Sequence, residues 1–522
     1  MRIVCLFIPL ALAFAQEKPV ALYPGMGIWK HAIETNSPEA QKYFDQGLSL
    51  MYGFNRYEAM RSFRKAAELD PAAPMAQWGI AMATGPYVNM DGEPTYDMKA
   101  SCAAIDAALK LEFRSPRERA YVQAAGARCP DFKAPEAYVA AMRALAERWP
   151  DDLDAITLYA ESLMVPTRWH WYNADGSPAK GMPEAERALE SVLRRWPEHP
   201  GANHLYIHAV ESSPTPERAI PSAQRLMGIV PGEGHMVHMP GHIWLVLGDW
   251  EMAASVNERA AQVDREYFAA THVTEGSYYM YYLHNLDFIA YARAMQGRRG
   301  DGLKAADDLA TAMAPLAEAM PEMADTFLPV PWFSLLRFAE WEAVLKLPQP
   351  KPGQKFATAF WHYARAMAFH GKGDPSSARR ERDAFEQARK QVPAESTWGQ
   401  NQAEPVLSLA SELLAARIAG DAVAHLERAV AIQDGLVYDE PPAWYYPVRE
   451  SLGVALLKAD RAAEAEVVFR EGVRRSPRNG RMLFGLVEAL AAQKKTEESG
   501  WVRKEYMAAW EKADVRLSLA EM

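Results

Sequence analysis

From Tyr43 onward, alanine-rich amphipathic stretches alternate with short breaks at Pro and Gly, and the apolar positions recur at the spacing of one face of a helix. This pattern predicts helices over Glu136–Arg148, Asp152–Met164, Pro183–Arg195, Asn203–Ser212, Pro216–Ile229, Ile243–Val263, Tyr278–Met295 and Leu303–Ala319. Hairpin-type alternation of apolar and polar residues does not occur, so the expected fold class is all-α. About 500 residues exceed what one compact core holds, which points to repeats.

Two stretches carry the repeat most clearly. In YFDQGLSLMYGFNRYEAMRSFRKAAELDP, Gly47, Ala59, Phe63, Ala66 and Pro71 stand at the offsets of a tetratricopeptide (TPR) unit. Gly453, Ala465, Phe469, Gly472 and Pro477 repeat the series near the other end. The small residues let two antiparallel helices approach, the aromatic fills the space between them, and Pro ends the second helix. The chain thus resembles TPR-repeat proteins. More narrowly, it is similar to a group of large exported bacterial ones, on the phrases MAQWGIAMATGPYVN, HPGANHLYIHAVESSPTPERA, GHMVHMPGHIW, YYLHNLDFIAYARAMQGR and EPPAWYYPVRESLGVALL. The resemblance implies an α-α superhelix (solenoid) of antiparallel helix pairs with a concave, ligand-accessible inner face, and it implies no particular reaction. The expected organisation is a signal peptide at 1–15, N-terminal repeats over 16–130, degenerate repeats with the chemistry over 131–300, and C-terminal repeats over 301–522.

The first fifteen residues join Arg2 to an apolar run, Ile3–Ala13, and a small-x-small step at Ala13-Phe14-Ala15, the pattern of a secretory signal. A periplasmic or secreted protein is expected, without membrane insertion, since no later run is long enough to span a bilayer. The formal charge of -10 is spread through both signs, which argues against a nucleic-acid partner. In an oxidising compartment Cys102 and Cys129 either pair or remain two buried thiols. CxxC and CxxCH motifs are absent.

Chemistry concentrates in one region: eight of the 13 histidines lie between His199 and His284. His204, His208 and Glu211 are spaced i, i+4, i+7, which places them on one helix face. His235, His238 and His242 follow about thirty residues later, the return distance of a helical pair, and His284 comes after them. Pro240 fits the first turn of a helix, so His238 is expected in the preceding loop and His242 in that first turn. The alternative for each histidine is a hydrogen-bonded core residue.

Imidazole suits copper, zinc and iron. Six imidazoles exceed one zinc's tetrahedral shell and fit two ions with three each, which favours copper over zinc or iron. Glu211 and Glu275 are the candidate general bases of a hydrolytic centre, although HExxH is absent. Met236 and Met239 interleave with the histidines and are better core fillers than ligands. Tyr278, Tyr279, Tyr281 and Tyr282 either support the imidazoles or pack between repeats.

Two Trp/Tyr/Arg-rich connections are candidate substrate-binding segments: Arg168, Trp169 and Trp171 in one, and Trp444, Tyr445 and Arg449 in the other, where Glu440 and Arg449 are a candidate ion pair. The favoured reading is an exported metalloprotein, with a redox or oxygen-using centre on the concave face and a small molecule or peptide in the groove. A TPR scaffold that binds a protein partner, its histidines structural, and a metal-sequestering protein are the alternatives.

Overall fold

The computed structural model describes residues 18–89, 96–272, 277–418, 421–520 and 522. The proposed signal at 1–15 and Glu275 lie outside them. The chain is an all-α solenoid of TPR-like antiparallel helix pairs. Pro38–Tyr52 packs on Arg56–Leu69, Leu153–Met164 on Met182–Arg195, Trp250–Thr271 on Ser277–Met295, and Arg449–Lys458 on Ala462–Arg475. The sole ladder among the described residues joins Thr397–Trp398 to Asn401–Gln402.

Local chemistry sets the ends of these helices. Ser37, Asn55, Asp97, Ser115, Asp152, Asp249 and Asn479 each accept a backbone N–H of the following first turn. Pro occupies the opening positions of Pro38–Tyr52, Pro116–Gly126 and Pro200–Glu211, where its missing N–H costs nothing. The repeat residues meet as their spacing requires. Gly47 and Gly79 both lie against the Phe63 ring, and Gly453 and Gly485 both lie against Phe469. Each aromatic is completely buried between its two glycines.

Most buried apolar residues form one cluster running from the first repeat to the last, and Val344, Ala364 and Ala368 form a small second one. Cys102 and Cys129 are joined in a disulfide, which ties Met98–Leu109 to the end of Pro116–Gly126. Among the described residues, no helix is long and apolar enough to cross a membrane.

Two expectations change. The predicted helix Ile243–Val263 is broken, because Gly248 takes a positive φ of 71° between Pro240–Val246 and Trp250–Thr271. A Cβ at Gly248 would fall 1.9 Å from the Pro477 carbonyl oxygen, so no side chain fits there. A helix does begin at Pro240, but His238 is the last residue of a short helix, Gly234–His238, rather than part of a loop. The Glu233 carboxylate accepts the Met236 N–H and caps that short helix.

Because the Phe63 and Phe469 rings leave no room for a Cβ, Gly79→Val and Gly453→Val should each destabilise the fold by about 1–3 kcal/mol through overpacking. A lowered midpoint in chemical denaturation, with helicity retained before the transition, is the expected result.

Candidate metal centre

Four helices, Pro200–Glu211, Gly234–His238, Pro240–Val246 and Ser277–Met295, bring the six predicted histidines into one buried cluster. The cluster divides in two. Ligand atoms of His204, His208 and His235 lie within 4.8 Å of one another, and so do those of His238, His242 and His284. Two nitrogens bound at about 2 Å to one ion are at most about 4 Å apart, so each triad needs only a small contraction to hold a metal. The groups adjoin: ring centroids are 5.4 Å apart for His208 and His242 and 5.3 Å apart for His235 and His238.

Four of the six rings are tethered through an outer nitrogen. His204 donates from Nδ1 to the Tyr52 carbonyl, and His208 from Nδ1 to Glu211 Oε1 at 2.9 Å. His238 Nδ1 donates to Asn257 Oδ1 at 2.6 Å, and His242 Nδ1 to Glu211 Oε2 at 2.6 Å. Nε2 of His204 and of His208 is buried without a hydrogen-bond partner, as are both nitrogens of His235. Nε2 of His238 and of His242 face each other at 2.7 Å. An imidazole that gives its outer N–H to a fixed acceptor presents an oriented lone pair inward, as metal-ligating histidines do.

Burial, reinforced by the neighbouring imidazoles, pushes His204, His235 and His238 well below the usual histidine range and His284 down to about 3. These rings are therefore neutral at neutral pH, the form that binds metal. Burial also opposes charge on His242, but Glu440 and Glu211 overcome it and raise that ring to about 10.

Glu211 holds one imidazole from each triad, one on each oxygen, which fits a positioning role better than that of a general base. Glu440 Oε1 lies 3.2 Å from His242 Nδ1. Sequence reasoning paired Glu440 with Arg449. Instead Arg449 makes a two-pronged ion pair with Asp434, both contacts at 2.6 Å, because the fold turns Glu440 toward His242.

A phenylalanine lies against each triad. Phe54 is 4.3, 5.9 and 5.2 Å from the rings of His204, His208 and His235. Phe288 is 4.9, 5.3 and 4.9 Å from His238, His242 and His284. Trp169 and Trp171 pack on His208, and Tyr281 on His235. Arg168 stands half-buried beside Trp169. Trp444 and Tyr445 are buried against Phe333, and with Arg449 they line a separate cavity of about 300 Å³. The histidines are enclosed rather than displayed on an open concave face: all but the half-buried His284 are at most 1 % exposed. Met236 and Met239 are wholly buried members of the core.

No family model and no curated protein matches this chain. Among solved structures, the chain is similar to the human IFIT1 dimer with m7Gppp-AAAA, at 14% identity over 91% of each chain with a TM-score of 0.35. It is similar to the APC/C hetero-tetramer Cut9-Hcn1 at 12% identity, covering 86% of this chain and 76% of that one, with a TM-score of 0.33. It is also similar to yeast Tom70 at 11% identity, covering 90% of this chain and 92% of that one, with a TM-score of 0.31. Likeness at this level says nothing of the histidines, so function rests on the site's own geometry.

Sequence reasoning missed the shell that orients the ligands. Asp154, buried on Leu153–Met164, accepts from Trp29 Nε1 at 3.1 Å, His31 Nδ1 at 2.8 Å and Tyr52 Oη at 2.6 Å, and lies 3.2 Å from His199 Nε2. His199 caps the helix that carries His204, His208 and Glu211, and the Tyr52 carbonyl holds His204. Asp154 thereby anchors both supports of the first triad. The one cue in the sequence was the N-cap position of His199, directly before Pro200.

Burial opposes the charge on Asp154, yet hydrogen bonds and charge from His199 and His31 hold its carboxyl far below the usual range. His31, although buried, is raised by the same contact. Asp154→Asn should therefore cost about 3 kcal/mol near neutral pH. The depressed Asp154 pKa adds stability that is present above about pH 4 and lost as pH falls toward its folded value. The raised His31 pKa adds stability that is complete below about pH 6.5 and lost as pH rises through its folded value. The gap between wild type and variant, measured by denaturation across pH, should be widest between those limits.

Proposed function

We propose that the two histidine triads hold a pair of transition-metal ions, and that the chain is an exported metalloprotein acting as a metal-dependent oxidoreductase. The observation that carries this reading is the orientation of the rings: outer nitrogens of four held by Tyr52, Glu211 and Asn257, and ligand atoms of all six converging in two adjacent groups. His204, His208 and His235 would hold one ion, and His238, His242 and His284 the other.

Three imidazoles per ion leave a coordination position open, and an all-imidazole donor set favours copper, with zinc or iron as alternatives. A copper pair supplies redox and oxygen chemistry when bound. Hydrolysis is less well supported. Both oxygens of Glu211 face imidazole N–H groups, and Glu440 is turned toward His242, so neither is poised as a base for an attacking water. Glu211 orients one ligand of each triad, Phe54 and Phe288 wall them with apolar surface, and the half-buried Trp169, Tyr281 and His284 mark the side through which a small molecule would approach. Metal sequestration is the second reading, favoured by the enclosure of the other five histidines.

Protein purified without an affinity tag should contain about two equivalents of copper, zinc or iron by elemental analysis, in line with two complete triads. His204→Ala with His208→Ala should remove at least one of them. A lack of stoichiometric metal in wild type, even after metal soaking and desalting, would sink the metal reading and favour the scaffold.

Glu211→Gln retains one acceptor oxygen and replaces the other with an N–H donor, so it cannot receive both imidazole N–H groups. Competition against a chelator should show metal affinity about 10–100-fold weaker in this variant, while His362→Gln, remote from the triads and paired with Glu381, should bind as wild type does.

A further inference from the structure

A second cavity, of about 420 Å³, opens beside the Pro231–Gly232 turn and is lined by Tyr23, Tyr267 and Tyr278 with Met26, Leu50 and Val263. Its three tyrosines form an edge-packed corner. The Tyr267 ring is 6.3 Å from Tyr23 at an interplanar angle of 76°, and 5.5 Å from Tyr278 at 75°. Every hydroxyl is directed to a buried carboxylate. Tyr23 donates to Glu58 Oε1 at 2.9 Å and Tyr267 to Glu58 Oε2 at 3.2 Å, while Tyr278 lies 2.9 Å from both Glu233 Oε1 and Asp264 Oδ1.

This arrangement selects a kind of ligand. With their hydroxyls already engaged, the tyrosines offer ring surface rather than hydrogen bonds. A phenol that donates to a carboxylate is also richer in π density, which strengthens attraction for a cation over its face. Of the three buried acids behind the rings, Glu58 pairs with Arg61 at 2.7 Å, and burial pushes Glu233 up to about 8 and Asp264 up to about 7, so these two share a proton near neutral pH. At the rim the exposed Arg259 lies 3.9 Å from the exposed Glu266. An anion entering this cavity meets the electron-rich faces of the three tyrosines. A strongly hydrated cation such as Na⁺ gains little, because aromatic and aliphatic surface cannot replace its water.

We propose that this cavity binds an organic ammonium ion of the quaternary or methylated-amine class, held by cation–π contact in the corner formed by Tyr23, Tyr267 and Tyr278. None of the six clustered histidines lines this cavity.

The test titrates the full chain with choline and with 3,3-dimethylbutanol, its uncharged isostere, by calorimetry and ligand-observed NMR. Choline should saturate one site, and the isostere should bind at least about ten-fold more weakly. Tyr267→Leu should reduce choline affinity by about ten-fold or more, and Tyr267→Phe, which keeps the ring, should lose less. If Tyr267→Leu does not fold, Tyr23→Leu tests the same corner, and the choline-to-isostere ratio in wild type needs no variant. Equal binding of the isostere would reduce the cavity to an apolar hole and overturn the proposal. So would failure of choline to saturate by about 10 mM, or unchanged affinity in the folded Leu variant.

Discussion

Burying an imidazole demands an acceptor for its N–H, and the centre of this protein is organised around that demand. Glu211 meets it twice, with one oxygen for His208 and the other for His242. A single carboxylate thereby sets the position of Pro200–Glu211 against Pro240–Val246 and joins the two triads. The Tyr52 carbonyl and Asn257 serve His204 and His238 in the same way. What remains inside is a set of lone pairs with no protein donor facing most of them. Two carboxylates beside His242 then make that ring basic, while its neighbours stay neutral.

The solenoid permits this because its repeats place distant segments side by side. Phe54 and the Tyr52 carbonyl come from the turn inside the first helix pair, the histidines from the middle, and Glu440 from a connection in the C-terminal half. Helices that approach across Gly47 and Gly79 around Phe63 seat Tyr52 so that its hydroxyl reaches Asp154 while its carbonyl reaches His204. The packing of the first repeat is thus part of the geometry of the centre. Aromatic side chains surround the histidines: Trp169, Tyr281 and the two phenylalanines.

Periodicity and turn chemistry are local properties, so they were legible in the residues. The spacing of apolar positions placed eight helices to within a few residues, except where Gly248 breaks one, and the Gly/Ala/Phe/Pro offsets marked the repeat units at both ends. The crowding of His204, His208, His235, His238, His242 and His284 identified the candidate ligands. Asp154, Tyr52, Asn257 and Phe288 carried no comparable signal, because a lone Asp or Asn in a helix looks like a cap or a solvated residue until its neighbours are known.

By itself, the sequence determined what depends on near neighbours: helix type, helix ends, the small-residue contacts that let pairs stack, and the supply of imidazoles along two helical faces. Tertiary structure alone decided how the histidines divide into two groups of three, which nitrogen of each ring faces inward, and that the site is enclosed rather than open. It also decided that Glu440 turns to His242 while Arg449 turns to Asp434. The physical reason is distance along the chain. A polar contact between residues 152 or 198 positions apart is set by the stacking of intervening repeats, and no short-range pattern records that stacking.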